Sequence, residues 1–346
     1  MSILKQSIVI AITAVAVLYL PGLWKKKLPV IFEGQVEKGF EAVFDAFKMC
    51  IRDRYTGKKV VDIWGGYADK QSHRPWKQDT LATIYSSGKG VAAICIGMLI
   101  DRGLLKYDDK VVKYWPEFGK HGKQDVTVEM LLSHQGIVSV TDIDIHFGLH
   151  KEKFHRLTRM EDTEYTSSQY IEILQSPSMR SMIFGSLIGR ESIWNNALAN
   201  VEELLNPYLL NDPDNRLVEV PSAFGVGTAE GLAKLYGILA NGGEVNGKKI
   251  MSKRAIEILN TGVSKGFDKT IEIDVEWGPG TGISNIQIGK AFGHSGAGGQ
   301  EAWANPELKL GYGFVTNTPT LSLLESGKRY LSLRNSVYDC VQKLGK

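Results

Sequence analysis

The chain contains few cysteines and no group of residues spaced to bind a metal. Its 346 residues include only Cys50, Cys95 and Cys340. This small, odd number argues against a framework of disulfide bonds. No cysteines and histidines stand at the spacing of metal ligands, so we predict neither a metal nor any other cofactor.

The sequence also lacks internal repeats, low-complexity tracts and a basic stripe. It has 41 lysines and arginines against 38 aspartates and glutamates, a net charge of +3, and these charges are interspersed. A nucleic-acid partner is therefore not predicted. A hydrophobic content of 43% over this length is enough for a sizeable core.

The N-terminus differs from the rest of the chain. The stretch 8–20 is almost wholly apolar and is followed by the triplet Lys25-Lys26-Lys27. We interpret residues 1–28 as a transmembrane signal-anchor, and so predict a membrane protein with a single N-terminal span. A cleaved secretory signal and a mitochondrial targeting segment are the alternatives. The organelle is left open between mitochondrion and endomembranes.

Hydrophobic periodicity outlines an α+β fold for residues 29–346. Helices are predicted at both ends and in the middle, and β-type runs are predicted near residue 60 and between 277 and 317. We expect one antiparallel sheet formed from both chain ends and flanked by helices, with a helical subdomain inserted in the middle. The predicted elements are 30–47, 58–64, 90–105, 127–134, 228–240, 253–259, 283–288, 291–294, 301–304, 312–316 and 321–344.

The tetrapeptide Ser86-Ser87-Gly88-Lys89 opens one of these helices. Residues three apart share a helix face, which would place Lys89 beside the Ser86 hydroxyl. A serine hydroxyl becomes a good nucleophile when a neighbouring base takes its proton. Lysine can be that base if burial or the positive end of the helix dipole lowers its pKa. On its own, the tetrapeptide is common in chains of this length.

Three further segments accompany the tetrapeptide, in a fixed order. They are Met130–Ile137, which reads Met-Leu-Leu-Ser-His-Gln-Gly-Ile, the glycine-rich loop Pro221–Ala229, and Phe292–Gly299, which reads Phe-Gly-His-Ser-Gly-Ala-Gly-Gly. Together they resemble the serine β-lactamase-like family of class C β-lactamases, D-alanyl-D-alanine peptidases and esterases. The phrases Val61–Gly66, Arg74–Trp76 and Val220–Ala223 are most similar to animal β-lactamase-related proteins.

The resemblance implies a set of site residues. Ser86 would be acylated, and Lys89 would accept its proton. His294 stands where many relatives have lysine, and it would orient or polarise the acyl group with less fixed positive charge. Taken without the resemblance, it is more simply a turn histidine between strands. A carboxylate-bearing β-lactam is therefore disfavoured as the natural substrate. The other implied residues are the oxyanion-hole amides of Ser86 and Ala297 and the third-motif residues Ser295 and Gly296.

The chain departs from the family pattern between residues 137 and 220. The family carries a Tyr-x-Asn motif there, but no asparagine stands two positions after Tyr165, Tyr170 or Tyr208. The stretch 137–145 joins sequences that are far apart in relatives. We interpret it as the site of an internal deletion of several tens of residues, which would shorten the helical subdomain and remove the tyrosine that helps to move protons.

A second departure is the hexapeptide Met49–Arg54, Met-Cys-Ile-Arg-Asp-Arg. Charges on both faces make it a poor central strand. One interpretation is an edge strand, since edge strands carry charges. The other is that these residues are foreign to the natural protein, because a common transposon adapter used in sequencing encodes the same hexapeptide.

The sequence as a whole predicts a membrane-anchored serine hydrolase that forms an acyl-enzyme with a small-molecule or peptide ester or amide. Loss of the tyrosine motif would impair it. The alternative is a catalytically inactive homologue with a role in interaction or assembly. His134 is interpreted as a structural residue at a helix end. Homo-oligomer formation is left open.

Overall fold

The computed structural model describes residues 28–47, 51–135, 222–268, 273–285, 289–317 and 326–344. By its internal contacts the chain divides into the units Met1–Ile31 and Phe32–Lys346. The description below concerns the second unit. The predicted helical subdomain and the junction 137–145 lie outside the described residues, as do Tyr165, Tyr170 and Tyr208.

Runs of strands and single helices follow one another along the described chain. The strands are β1 (Phe32–Val36), β2 (Ile51–Tyr55), β3 (Lys58–Gly65), β4 (Tyr67–Asp69), β5 (Arg74–Pro75), β6 (Ala82–Thr83), β7 (Val226–Gly227), β8 (Glu244–Val245), β9 (Lys248–Lys249), β10 (Ser264–Asp268), β11 (Ile273–Trp277), β12 (Gly282–Asn285), β13 (Lys290–Gly296), β14 (Gln300–Asn305) and β15 (Leu310–Phe314). The helices are α1 (Glu41–Ala46), α2 (Ser87–Asp101), α3 (Val128–Leu132), α4 (Ala229–Ala240), α5 (Lys253–Leu259) and α6 (Ser326–Leu344).

A nine-stranded antiparallel sheet forms the centre of the unit. Its strand order is β1-β3-β2-β15-β14-β13-β12-β11-β10, so strands from the start of the unit pair with strands from its end. This confirms the predicted sheet built from both chain ends and flanked by helices. The strand at 58–64 and the helix at 253–259 are also confirmed. Thr228 caps α4, because its Oγ1 atom accepts a hydrogen bond from the Gly231 amide at 2.9 Å.

Helices cover both faces of the sheet. On one face, α1 and α6 bury residues such as Val43, Val337 and Tyr338 against the strands. On the other face, residues of α2, α4 and α5 form a second apolar cluster with Phe292, Ala302 and other strand residues. The central strands are therefore buried on both sides, as β14 shows along its whole length.

Strand β2 lies inside the sheet, between β15 and β3. The interpretation of Arg52-Asp53-Arg54 as an edge strand is therefore wrong. A bulge between Asp53 and Arg54 shifts the register of the pairing with β3. A charged tripeptide in a central position is atypical of natural strands.

The prediction of a membrane protein with an N-terminal span needs correction. Within the described residues, no helix combines the length and apolar character needed to cross a bilayer. The predicted span comprised residues 1–28, and residues 1–27 of it lie outside the described part of the chain.

Helix α4 approaches β15 so closely that glycine is required between them. A Cβ on Gly311 would overlap the backbone nitrogen of Gly237 and lie 2.6 Å from the carbonyl oxygen of Ala233. Backbone atoms cannot move aside as a flexible side chain can. This contact seats α4 on the sheet, next to the strands that carry the site described below.

Replacing Gly311 with alanine is therefore expected to lower the free energy of unfolding by about 3 kcal/mol or more, because the added methyl group overpacks backbone against backbone. Urea denaturation would measure the loss. Gly97→Ala in α2 is the matched control, because its Cβ would meet side chains rather than backbone, the nearest atom being Met251 Cε at 3.2 Å. Stability of Gly311→Ala within about 0.5 kcal/mol of the wild type, the range of ordinary surface changes, would contradict this packing.

Candidate active site

Ser86 stands at the start of α2, directly after a residue with an unusual backbone. Tyr85 has a φ of 44°, in the left-handed region that is costly for an aromatic residue. Ser86 occupies the N-cap position, but its side chain makes no capping hydrogen bond. N-cap serines usually accept from the first backbone amides of their helix. Here the Ser86 hydroxyl is available to a different partner.

That partner is Lys89. The Lys89 Nζ atom lies 2.7 Å from Ser86 Oγ, one helical turn away, and it donates a second hydrogen bond to the carbonyl oxygen of Ser222 at 3.1 Å. Burial lowers the pKa of Lys89 to about 8, because an ammonium group loses hydration there. A substantial fraction of neutral amine is thus present next to the hydroxyl in mildly alkaline solution.

The third predicted motif lies against the start of α2. The Ser87 hydroxyl donates to the carbonyl oxygen of His294 at 3.0 Å. A Cβ on Gly296 would overlap the carbonyl oxygen of Ile84 and come within 3.1 Å of the Ser87 nitrogen. Only glycine fits this approach of two backbones. Residues more than 200 positions apart are therefore brought together at Ser86.

His294 is buried in a neutral form. Its Nδ1 atom lies 2.6 Å from the carbonyl oxygen of Ser295, which assigns the ring proton to Nδ1. Nε2 is buried without a hydrogen-bond partner in the described part of the chain. Burial above all, and then the charge of Lys89, lower the pKa of His294 to about 3. In contrast to a lysine at this position, His294 adds no positive charge.

Ala297 begins the short 3-10 turn Ala297–Gly299 that joins β13 to β14. Its side chain packs with Tyr85 and Phe224. The structure therefore places Ala297 beside the residue that precedes Ser86. Its role as a donor to an oxyanion, together with the Ser86 amide, stays a prediction.

The predicted glycine-rich loop also contacts the segment that leads into Ser86. Strand β6 pairs with β7, with Ala82 opposite Gly227, and the Ile84 amide donates to the carbonyl oxygen of Gly225 at 2.8 Å. The loop holds the chain just before Ser86 and supplies the Ser222 carbonyl that binds Lys89. This contact between residues 133 positions apart has no signal in the sequence.

An aromatic wall, His134 and Trp277, borders His294. The ring centroids of His134 and Trp277 are 4.3 Å apart, and those of Trp277 and His294 are 5.5 Å apart. Burial is the main reason that the pKa of His134 falls to about 4. The sequence pointed to the Leu-Leu-Ser-His segment but assigned His134 no chemical role, and no motif singled out Trp277.

Comparison with known proteins places the chain in a family. The family model "Beta-lactamase" matches residues 48–139 and 141–333. The esterase/β-lactamase LipL of Mycobacterium tuberculosis (strain ATCC 25618 / H37Rv) is 27% identical over 322 residues, and the match covers 75% of each chain. The human mitochondrial serine β-lactamase-like protein LACTB is 31% identical over 108 residues, covering 30% of this chain and 20% of LACTB.

Solved structures agree with the sequence relatives. A family VIII carboxylesterase superposes with a TM-score of 0.74 and 27% identity, over 89% of this chain and 99% of the esterase. EstA from Arthrobacter nitroguajacolicus Rue61a shares the fold with a TM-score of 0.66 at 23% identity, over 91% of this chain and all of EstA. The fold and relatives are those of esterase-like serine hydrolases, and the chain belongs to the β-lactamase family.

Proposed function

We propose that the protein hydrolyses uncharged esters through an acyl-enzyme formed on Ser86. The observation that carries the proposal is the 2.7 Å separation of Lys89 Nζ and Ser86 Oγ, combined with a Lys89 pKa of about 8. A hydroxyl within hydrogen-bond reach of a partly neutral amine is an activated nucleophile. The similarity to esterases supports ester cleavage as the reaction class.

The first half of the reaction would acylate the enzyme. Ser86 Oγ attacks the ester carbonyl carbon while Lys89 Nζ accepts the hydroxyl proton. The amides of Ser86 and Ala297 would donate to the oxygen that gains negative charge. The tetrahedral intermediate then expels the alkoxide, which takes the proton from Lys89 and leaves as an alcohol.

The second half would release the acyl group. A water molecule gives a proton to Lys89 Nζ as its oxygen attacks the acyl carbonyl. When the bond between Ser86 Oγ and the acyl carbon breaks, Ser86 Oγ recovers the proton from Lys89, and the carboxylic acid departs. Each proton that Lys89 takes up is returned within the same half-reaction, so no other co-reactant is consumed.

Neutral His294 favours a substrate without a carboxylate at the third motif. A lysine there would attract an anionic group. The neutral, buried imidazole of His294 has no charge to offset the free energy that a carboxylate loses on desolvation. The aromatic wall beside it presents apolar surface. We therefore infer that neutral esters are preferred to carboxylate-bearing β-lactams.

The preference can be measured with three chromogenic compounds on one preparation. We expect hydrolysis of p-nitrophenyl butyrate with a kcat/KM at least about 100-fold above that for nitrocefin, a carboxylate-bearing β-lactam, since an uncompensated buried charge costs several kcal/mol. The monoanionic p-nitrophenyl ester of adipic acid is the control, because it keeps the leaving group and adds a carboxylate that is too far along the chain to attack its own ester rapidly, as the carboxylate of a succinate ester would. Equal rates for the neutral and anionic esters would refute the preference.

We also infer that the chain is shortened near residues 137–145. The break in the family match at residue 140 falls inside this stretch and supports the inference. The proposed loss includes the tyrosine that would share the proton transfers with Lys89. Deacylation, which needs an activated water, would then be slower than acylation, and the acyl-enzyme would accumulate.

The comparisons do not favour the alternative of an inactive interaction protein. The relatives that cover most of the chain are an esterase/β-lactamase and a carboxylesterase. Labelling with a fluorophosphonate probe separates the two functions. Labelling of the folded wild type that disappears in Ser86→Ala supports the hydrolase, and a folded protein that never reacts supports the alternative.

A further inference from the structure

A buried tyrosine stands behind the first turn of α2. Tyr236 of α4 is 0% exposed, and its hydroxyl has no hydrogen-bond partner in the described part of the chain. The hydroxyl lies directly against Gly90, the residue after Lys89, because a Cβ on Gly90 would overlap it. A buried hydroxyl without a hydrogen bond lowers the stability of a fold, so its place here calls for a reason other than stability.

Tyr236 cannot move away from α2. The backbone nitrogen of Gly237, the next residue along α4, is the atom that a Cβ on Gly311 of β15 would overlap. Helix α4 therefore already contacts the sheet backbone to backbone. The ring centroid of Tyr236 also lies 6.5 Å from that of Phe292 on β13, which packs beside it. The hydroxyl is thus held at a fixed height over the sheet.

The same point of α2 faces the third motif. The Cβ position of Gly90 lies 3.0 Å from His294 Cβ and 3.7 Å from the backbone nitrogen of His294. The Ser87 hydroxyl, three residues earlier on the same face of the helix, donates to the carbonyl oxygen of His294 at 3.0 Å. The first turn of α2, which carries Ser86 and Lys89, therefore meets both α4 and β13 at this point.

We propose that Tyr236 is a positioning residue, whose hydroxyl is a rigid spacer that sets the distance between the first turn of α2 and β13. Ser86 and Lys89 belong to one helix and move together, so the spacer does not decide the hydrogen bond between them. It fixes the place of this pair relative to His294 and to the predicted oxyanion amide of Ala297, between which the ester must lie. The consequence for turnover rests on the proposed function.

The test inserts a methyl group between α2 and the Tyr236 hydroxyl. In Gly90→Ala we expect kcat for p-nitrophenyl butyrate to fall about 100-fold with little change in KM, since a displacement of about 1 Å misplaces the reacting groups. Alanine is favoured over glycine inside a helix, so helix propensity cannot cause this loss. Gly97→Ala, two turns later in α2, is the matched control and should keep the wild-type kcat, because its Cβ would meet no atom closer than Met251 Cε at 3.2 Å.

A second substitution identifies Tyr236 as the spacer. Tyr236→Phe removes the atom that the new methyl group would overlap and keeps the ring. In a double-mutant cycle, the loss of kcat caused by Gly90→Ala should be at least about tenfold smaller in the Tyr236→Phe background. The rate of labelling by a fluorophosphonate probe, which reports only the attack by Ser86, should follow the same pattern. An equal loss in both backgrounds, or a folded Gly90→Ala protein with the wild-type kcat, would overturn the proposal.

The same cycle can be measured by thermal unfolding, which does not depend on the reaction. Gly90→Ala should lower the melting temperature, and Tyr236→Phe should restore most of the loss. If Gly90→Ala does not fold, the double variant must fold, and failure of both would overturn the proposal. Recovery of stability without recovery of kcat would leave Tyr236 a structural residue only and would also overturn it. If the thermal cycle shows the coupling but the wild type hydrolyses no ester, the proposed function fails while the contact between Gly90 and Tyr236 stands.

Discussion

Ser86→Ala is expected to reduce kcat/KM for p-nitrophenyl butyrate by at least about 10³-fold, because it removes the atom that becomes acylated. The neighbouring hydroxyl of Ser87 is not placed to take over. Ser87, the nearest in sequence, is buried, and its hydroxyl donates to the carbonyl oxygen of His294 rather than to Lys89. Initial rates at pH 9, corrected for the spontaneous hydrolysis of the ester, would measure the loss.

The fold should survive this substitution. Ser86 makes no capping hydrogen bond, so alanine removes only the contact with Lys89. Ser72→Ala, an exposed serine in a turn, is the matched control and should hydrolyse the ester at the wild-type rate. A folded Ser86→Ala protein with wild-type activity would show that another residue is the nucleophile.

The pH dependence of catalysis should follow Lys89. A base must be neutral to accept a proton, and the pKa of Lys89 is lowered from 10.5 to about 8. We expect kcat/KM to rise with pH, to reach half its maximum near pH 8, and to level off above this value. A flat profile, or a midpoint near pH 6, would exclude Lys89 as the base.

Lys89→Met should reduce kcat/KM at pH 9 by about 10²–10⁴-fold, the usual contribution of a general base. Lys110→Met, which removes an exposed ion pair with Asp125, should leave the rate unchanged. The same substitution has a signature that does not depend on activity. Lys89 releases its proton near pH 8 when folded but near 10.5 when unfolded, so the free energy of unfolding rises between these values. Lys89→Met should lack that rise.

Local patterns in the sequence predicted much of the fold. Alternating β-type runs separated by glycines gave strands that pair next to each other in the sheet, such as β13, β14 and β15. Strands β10 and β11 were missed because their short runs mix charged and apolar residues, and their pairing is what stabilises them. Strand β2 lies in the centre of the sheet although its charged residues are typical of an edge strand. Here too, pairing with neighbouring strands determines where the segment lies.

The sequence predicted only the local contacts of the candidate site. Ser86 and Lys89 stand three residues apart, so helix geometry alone brings them together. The support of Lys89 by the Ser222 carbonyl, and the packing of His294 against Ser87, depend on the tertiary fold. Both faces of β14 are buried, so its sequence shows no alternation from which the face toward the site could be inferred.

The most direct test of the account is the mass of the protein during turnover. Wild-type protein mixed with excess p-nitrophenyl butyrate at pH 9 and quenched in acid should carry one added butyryl group, and peptide mapping should locate it on Ser86. Slow deacylation would make this species the major one within the first turnovers. A butyryl group on any other residue, or ester hydrolysis in which Ser86 is never acylated, would contradict the account.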